Sequence, residues 1–158
     1  MQRKKTYTVN EAKLVLERYC IYQERCHKEV QKKLDEMSMI IEAKELIILH
    51  LLQHDFLNEE RFTKSYVSGK FNIKKWGKIK IISQLKYRYI SDYNIKSALS
   101  IINEDDYLKV LFDLAYKKKL FIRGKNEFDK RKKLTNFLLS RGFEIHLIID
   151  VVNELFKK

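Results

Sequence analysis

The sequence predicts an all-α fold, three tandem three-helix repeats in an elongated or crescent-shaped stack, and three observations lead there. Proline is absent and only Gly69, Gly77, Gly124 and Gly142 interrupt 158 residues, too few turn residues for a sandwich or barrel. Apolar residues recur at i, i+3, i+4 and i+7 in nine successive segments of about three turns, the pattern of amphipathic helices packed on one another. The pattern also returns along the chain. Val30-x-x-x-Leu34, Ile81-x-x-x-Leu85 and Leu134-x-x-x-Leu138 stand 51 and 53 residues apart, followed five or six residues later by Ile40, Ile90 and Phe143.

The first helix is expected near 9–22, with Ala12, Val15, Leu16 and Tyr19 on one face and Thr8-x-x-Glu11 as a capping box. A second, near 25–37, carries His27, Val30, Leu34 and Met37; a third, near 40–54, carries Ile40, Ile47, Ile48, Leu51 and Leu52. Asn58 followed by Glu59 and Glu60 reads as an N-cap with carboxylates against the positive helix end, opening a fourth helix at about 59–72. A fifth, 76–89, aligns Ile81, Ile82, Leu85 and Tyr89, and Ser91-Asp92 caps a sixth that buries Ile95, Ala98 and Leu99. Asn103 with Glu104, Asp105 and Asp106 repeats the cap-and-acid signal before a seventh, near 104–121, bearing Tyr107, Leu108, Leu111, Phe112 and Ala115. The last two lie near 127–141 and 144–157, separated by Gly142, the natural residue for a left-handed position after a helix.

The chain, 1–158, reads as one domain with repeats at about 8–56, 57–102 and 103–157. Each unit is too small to be stable alone, so neighbours must share core. With 45 % hydrophobic and 34 % charged residues and no long polar tract, the chain is expected to fold. The most apolar stretch, Leu46 to Leu52, is cut by His50 and far shorter than the roughly 20 residues of a membrane span. Cys20 and Cys26 follow no charged-then-apolar leader, which points to the reducing cytoplasm.

A net charge of +12 directs attention to anionic partners. From Arg61 to Ser91 there are nine lysines and arginines and no acid, with Phe62, Tyr66, Phe71, Trp76, Tyr87 and Tyr89 interleaved. Lys70, Lys74, Lys75, Lys78 and Lys80 surround Trp76, and Lys86 and Arg88 follow, an arrangement able to neutralise phosphates. For these lysines anion binding outweighs a merely solubilising role. Trp76 alone reads first as packing under the next helix, and second as a ring that stacks on a base or docks in a protein groove. A second basic stretch, Lys117 to Lys133, includes Glu127 and Asp129. There Lys130, Arg131, Lys132 and Lys133 crowd a helix start, where positive charge is unfavourable unless an anion relieves it. Arg141-Gly142-Phe143 reads as mainly structural.

Little else invites chemistry. His50 and His54 have ligand spacing, but Leu51 stands where a zinc hydrolase would carry its glutamate. Cys20, Cys26 and His27 lack a fourth ligand and the close spacing of a zinc knuckle, so the thiols read as packing groups. No phosphate-binding glycine loop occurs, and Glu59-Glu60 and Glu104-Asp105-Asp106 are explained by their places at helix starts. Neither an enzyme activity nor a metal or other cofactor is expected.

The stretch Phe56-Leu57-Asn58-Glu59-Glu60-Arg61-Phe62, then Tyr66-Val67, Lys75-Trp76-Gly77, Ile79 through Leu85, Ile90-Ser91 and Ile95 through Leu99, resembles the central pattern of the RecX family of bacterial RecA regulators. Glu29-Val30-x-x-x-Leu34 is similar to the family's first-repeat motif, and Leu138-Leu139-Ser140-Arg141-Gly142-Phe143 to its C-terminal Leu-x-x-Arg-Gly-Phe. The likeness covers about residues 8–156, although Tyr19 to His27 departs from the commoner family form. It implies a stack of three-helix repeats that binds the RecA filament on single-stranded DNA, contacts DNA directly, and inhibits the ATPase, strand-exchange and coprotease activities of RecA. The protein is taken as a monomer that needs no membrane. Lys70, Lys74, Lys75, Trp76, Lys78, Lys80, Lys86 and Arg88, with Lys132, Lys133 and Arg141, are the residues expected at the RecA and DNA surface. The alternatives are a general DNA-binding protein without a RecA partner and, last, a small nuclease.

Overall fold

The computed structural model describes residues 3–158, and among them nine helices and no strand follow one another. They are α1 (Val9–Tyr22), α2 (His27–Glu36), α3 (Ile41–Gln53), α4 (Glu59–Asn72), α5 (Lys78–Tyr87), α6 (Asp92–Leu99), α7 (Glu104–Lys119), α8 (Glu127–Ser140) and α9 (Ile145–Leu155). Most start on a side chain that takes over free backbone N–H groups. The Thr8 hydroxyl accepts from Glu11 N–H at 3.2 Å while the Glu11 carboxylate accepts from Thr8 N–H at 3.1 Å. The side-chain oxygens of Asn58, Ser91, Asn103 and Asn126 cap α4, α6, α7 and α8 without the returning carboxylate bond, each contributing about 1 kcal/mol.

The middle helix of each triplet, α2, α5 and α8, ends identically. Ser38, Tyr89 and Gly142 take left-handed φ of 57°, 58° and 90°. The next N–H, of Met39, Ile90 and Phe143, then donates back to the carbonyl of Leu34, Leu85 and Leu138 at 3.2, 3.1 and 3.3 Å. This geometry corrects the expected alignment. Met39, not Ile40, is the partner of Ile90 and Phe143, and Ile40 is 67 % exposed at the start of α3. Tyr89, expected on the apolar stripe of α5, is 81 % exposed, because the reversal at its own α-carbon turns Ile90 inward instead. His27 is likewise exposed at the first position of α2, and the buried place belongs to Cys26 before it. Leu52, Leu108 and Phe112, also expected on apolar stripes, are exposed as well.

Two cores result. The first gathers Leu16, Leu34, Ile47 and Leu51 between α1, α2 and α3. The second is shared by α4 to α9 and includes Ile81, Leu85, Tyr107, Leu138, Phe143 and Ile148. Cys26 crosses from the first triplet into the second core. Stacking rather than rounding up leaves 10900 Å² exposed, where a compact monomer of 19.1 kDa exposes about 8,400 Å².

The second and third triplets are stitched by backbone. Gly77 N–H donates to the Arg141 carbonyl at 2.8 Å and Ile79 N–H to the Gly142 carbonyl at 3.0 Å, so the positive start of α5 meets the negative end of α8. Tyr107 seals this joint: its hydroxyl accepts from Lys78 N–H at 3.0 Å and donates to Glu144 at 2.8 Å. Between the first and second triplets the same place is filled by side chains. Lys28 Nζ donates to the Tyr87 carbonyl at 2.9 Å, and Arg61 holds Glu24 at 2.6 Å and Asp55 at 3.0 Å.

Both thiols are free and buried, as packing groups should be. Burial pushes the Cys20 thiol up to about 11, and Cys26 is raised for the same reason. Because the folded chain keeps the Cys20 proton after the unfolded chain has lost it, this group's contribution to stability is full below about pH 9 and lost as pH rises through about 11. An aromatic disulfide reagent at pH 8 is expected to titrate neither thiol of the native protein within the mixing time and both in denaturant. Rapid native labelling of Cys20 would contradict the packing described.

Candidate functional site

Positive charge is concentrated in the middle triplet. Residues 8–56 carry seven Lys and Arg against nine acids, whereas residues 57–102 carry ten against three. The fold decides which of these cations meet. Lys70 on α4 lies 4.7 Å from the Trp76 ring centre and 5.3 Å from that of Tyr66. Lys80 on α5 reaches the Trp76 ring at 4.4 Å and Arg88 the Tyr66 ring at 5.0 Å. Arg141, at the end of α8, donates to the Lys74 carbonyl at 3.2 Å and stacks 5.2 Å from the Phe137 ring. Burial first, then the charges of Lys74, Arg88 and Lys80, pulls the Lys70 ammonium below its ordinary range. An ammonium group that is partly desolvated and set among like charges gains from an arriving anion.

Trp76 is half-buried against the second core, and the two ammonium groups lie over its ring. Its packing role is therefore present, and a stacking base would have to displace Lys70 or Lys80. Tyr66, which the sequence marks among six interleaved aromatics and in the RecX-like pattern, is the ring that joins Lys70 to Arg88. An open cleft of about 440 Å³ lies beside it, lined by Lys70, Lys74, Arg88, Glu24 and Glu29, and Arg88 pairs with Glu29 at 3.9 Å.

Other expected members are drawn elsewhere. Lys78 forms an ion pair with Glu104 at 2.6 Å and lies 4.6 Å from the Tyr107 ring, at the joint between the second and third triplets. Lys133 pairs with Asp129 at 3.3 Å and donates to the Arg123 carbonyl, and Arg131 pairs with Glu127 at 3.2 Å. The crowded start of α8 thus supplies its own counter-charges. Lys132 borders a separate apolar depression with Phe128 and Ile149. Lys70, Lys74, Lys75, Lys80, Lys86 and Arg141 have no ion-pair partner among the described residues.

His50 binds Glu17 at 2.6 Å across α1 and α3, and His54 Nδ1 lies 2.9 Å from the His50 carbonyl oxygen. Among the described residues no group of three or more His, Cys, Asp or Glu is placed to hold a metal, and no helix is long and apolar enough to cross a membrane.

Two family models match consecutive triplets: the second three-helix domain of RecX over residues 58–99 and the third over residues 104–152. The "Regulatory protein RecX" of Clostridium acetobutylicum is 32 % identical over 139 residues, 85 % of this chain and 64 % of that protein, so the chain spans just under two thirds of it. The protein of that name from Chlorobium phaeobacteroides is 29 % identical, over 85 % of this chain and 86 % of its own length. The crystal structure of RecX from Lactobacillus salivarius superposes with a TM-score of 0.76 at 25 % identity, covering 93 % of this chain and 96 % of that one. A second RecX crystal structure, at 22 % identity and a TM-score of 0.77, repeats the fold. Matched by family models over its second and third triplets and along nearly its whole length in fold, this chain belongs to the RecX family of regulatory proteins.

Proposed function

We propose that the protein attaches to the RecA filament on single-stranded DNA and lowers its ATPase, strand-exchange and coprotease activities, and so acts in recombination, DNA repair and the SOS response. It works in the cytoplasm as a monomer, contacts DNA directly as well as through RecA, and performs no catalysis of its own. The observation that carries this reading is the set of cations around Trp76 and Tyr66 on the middle triplet, Lys70 and Lys80 of them in no ion pair among the described residues, joined by Arg141 from the third. An elongated body with one strongly basic unit is suited to a helical groove lined by phosphates and acidic side chains.

The test is the single-stranded-DNA-dependent ATPase of RecA from the same organism, with this protein added below stoichiometry and at equimolar ratio. Inhibition is expected at substoichiometric amounts, since one bound copy interrupts the growth or continuity of many RecA units. Plain DNA binding, the second reading, predicts an affinity that falls steeply with salt and is indifferent to RecA. An unchanged ATPase at both ratios, with DNA binding intact, would sink the first reading in favour of the second.

A further inference from the structure

The joint between the first and second triplets holds an open cleft of about 570 Å³, large enough for a nucleotide. Lys28 and Lys32 of α2 line one side, Arg88 and Tyr89 at the end of α5 the other. The two acids on its wall are already engaged, and so is Arg88, which pairs with Glu29 at 3.9 Å and donates to Gln84. Asp35 pairs with Lys44 at 2.5 Å, and Glu59 accepts from Ser91 at 3.2 Å and Asn94 at 2.5 Å. Lys32 has no ion-pair partner among the described residues, and Gln31 brings an amide that can both donate and accept.

Tyr89 is the residue that needs explaining. It holds a left-handed φ of 58° at the position where α8 has Gly142, a conformation that strains a bulky side chain. Packing does not offset that strain, because the ring is 81 % exposed, and its neighbour Tyr87 is 67 % exposed. Lys28 Nζ lies 3.5 Å from the Tyr87 ring centre and 5.0 Å from that of Tyr89. A largely exposed ring, held in strain at the mouth of a cleft lined by lysines, is an arrangement that stacks an unpaired base once Lys28 moves from the ring face to a phosphate.

We propose that this cleft is a stacking site for one base of a single DNA strand, with Tyr89 as the platform and Lys28 and Lys32 as the phosphate contacts. Gln31 lies within the cleft to meet the base edge. The proposal gives the direct DNA contact of the proposed function a place of its own, distinct from the Lys70, Lys74 and Lys80 surface. It rests on that reading only for the kind of anion.

The experiment is titration of a fluorescently labelled oligo-dT with the full chain and no RecA, so that it stands or falls apart from the ATPase result. The decisive variant is Tyr89→Gly, which keeps the left-handed turn without strain while removing the ring. It is expected to melt above the parent protein yet bind the oligonucleotide about tenfold more weakly, a loss in the range of one lost base stack. Tyr89→Phe should retain parental affinity, Lys32→Gln should lower the salt dependence by about one counter-ion, and an unlabelled duplex should compete poorly. Parental affinity in Tyr89→Gly, loss in Tyr89→Phe equal to that in Tyr89→Gly, or equal competition by duplex would each overturn the assignment.

Discussion

Gly77→Ala lowers the stability of the fold by about 3 kcal/mol, and with it the melting temperature by about 10 °C, in a thermal unfolding curve followed by helical circular dichroism. A β-carbon at this position would lie 2.3 Å from the Gly142 carbonyl oxygen and 2.5 Å from the Phe143 nitrogen. These are backbone atoms at the end of α8 and cannot swing aside. The two chains must part, and the bonds from Gly77 to Arg141 and from Ile79 to Gly142 lengthen or break, each contributing about 1 kcal/mol. Gly142 is bound by the same contact from the other side, since its own β-carbon would meet the Lys80 β-carbon at 2.2 Å on a φ of 90°. Gly69 supplies the control. It lies inside α4 with nothing within 4 Å, so Gly69→Ala is expected to stabilise by about 0.5–1 kcal/mol. The same chemical change thus has opposite signs at two glycines eight residues apart. Equal melting temperatures for the Gly77→Ala and parent proteins would show that the joint is not closed as described.

The second large effect is functional. Lys74, Lys75 and Lys86 are exposed and in no ion pair among the described residues, whereas Lys70 and Lys80 also pack on Trp76 and Lys78 secures the joint through Glu104. The triple variant K74E/K75E/K86E therefore reverses charge without removing packing. It is expected to keep the helical signal and melting behaviour of the parent, to lose affinity for single-stranded DNA and for the RecA filament by about a hundredfold near 0.1 M salt, and to leave RecA ATPase uninhibited. The logarithmic salt dependence should flatten by about two to three counter-ions, the number of phosphate contacts removed. Full inhibition by a folded triple variant would place the attachment surface elsewhere, with the basic start of α8 as the next candidate.

What the sequence made legible lies within four residues along the chain. The boxes and caps at Thr8, Asn58, Ser91 and Asn103 stand where expected, because a cap is a bond between a side chain and an N–H two or three residues on. Gly142 has its left-handed φ, and the inward faces at Val30 and Leu34, Ile81 and Leu85, and Leu134 and Leu138 are buried, since each follows from the period of one helix. The same locality explains the errors. Tyr89 and Ile40 fit an apolar stripe extended one turn too far, and the sequence gives no sign that a tyrosine will accept the conformation of a glycine. The density of cations over Arg61–Ser91 was plain, but not their division.

That division belongs to contacts between residues far apart. Trp76 receives Lys70 and Lys80 through local geometry, while Lys74 is bound by Arg141 from 67 residues away and Lys28 meets Tyr87 across 59. The closeness of Gly77 to Gly142 that stitches two triplets, and the unexpected membership of Cys26 in the second core, are of the same kind. The amphipathic helices of the described residues, four of their N-caps and the charge of the middle unit were determined by the sequence alone, because helix period and capping are settled by near neighbours. Which triplets fuse into one core, which cations remain unpaired, and where a cleft opens were decided only by the tertiary structure. Those outcomes depend on how whole helices stack, and no short run of residues carries that information.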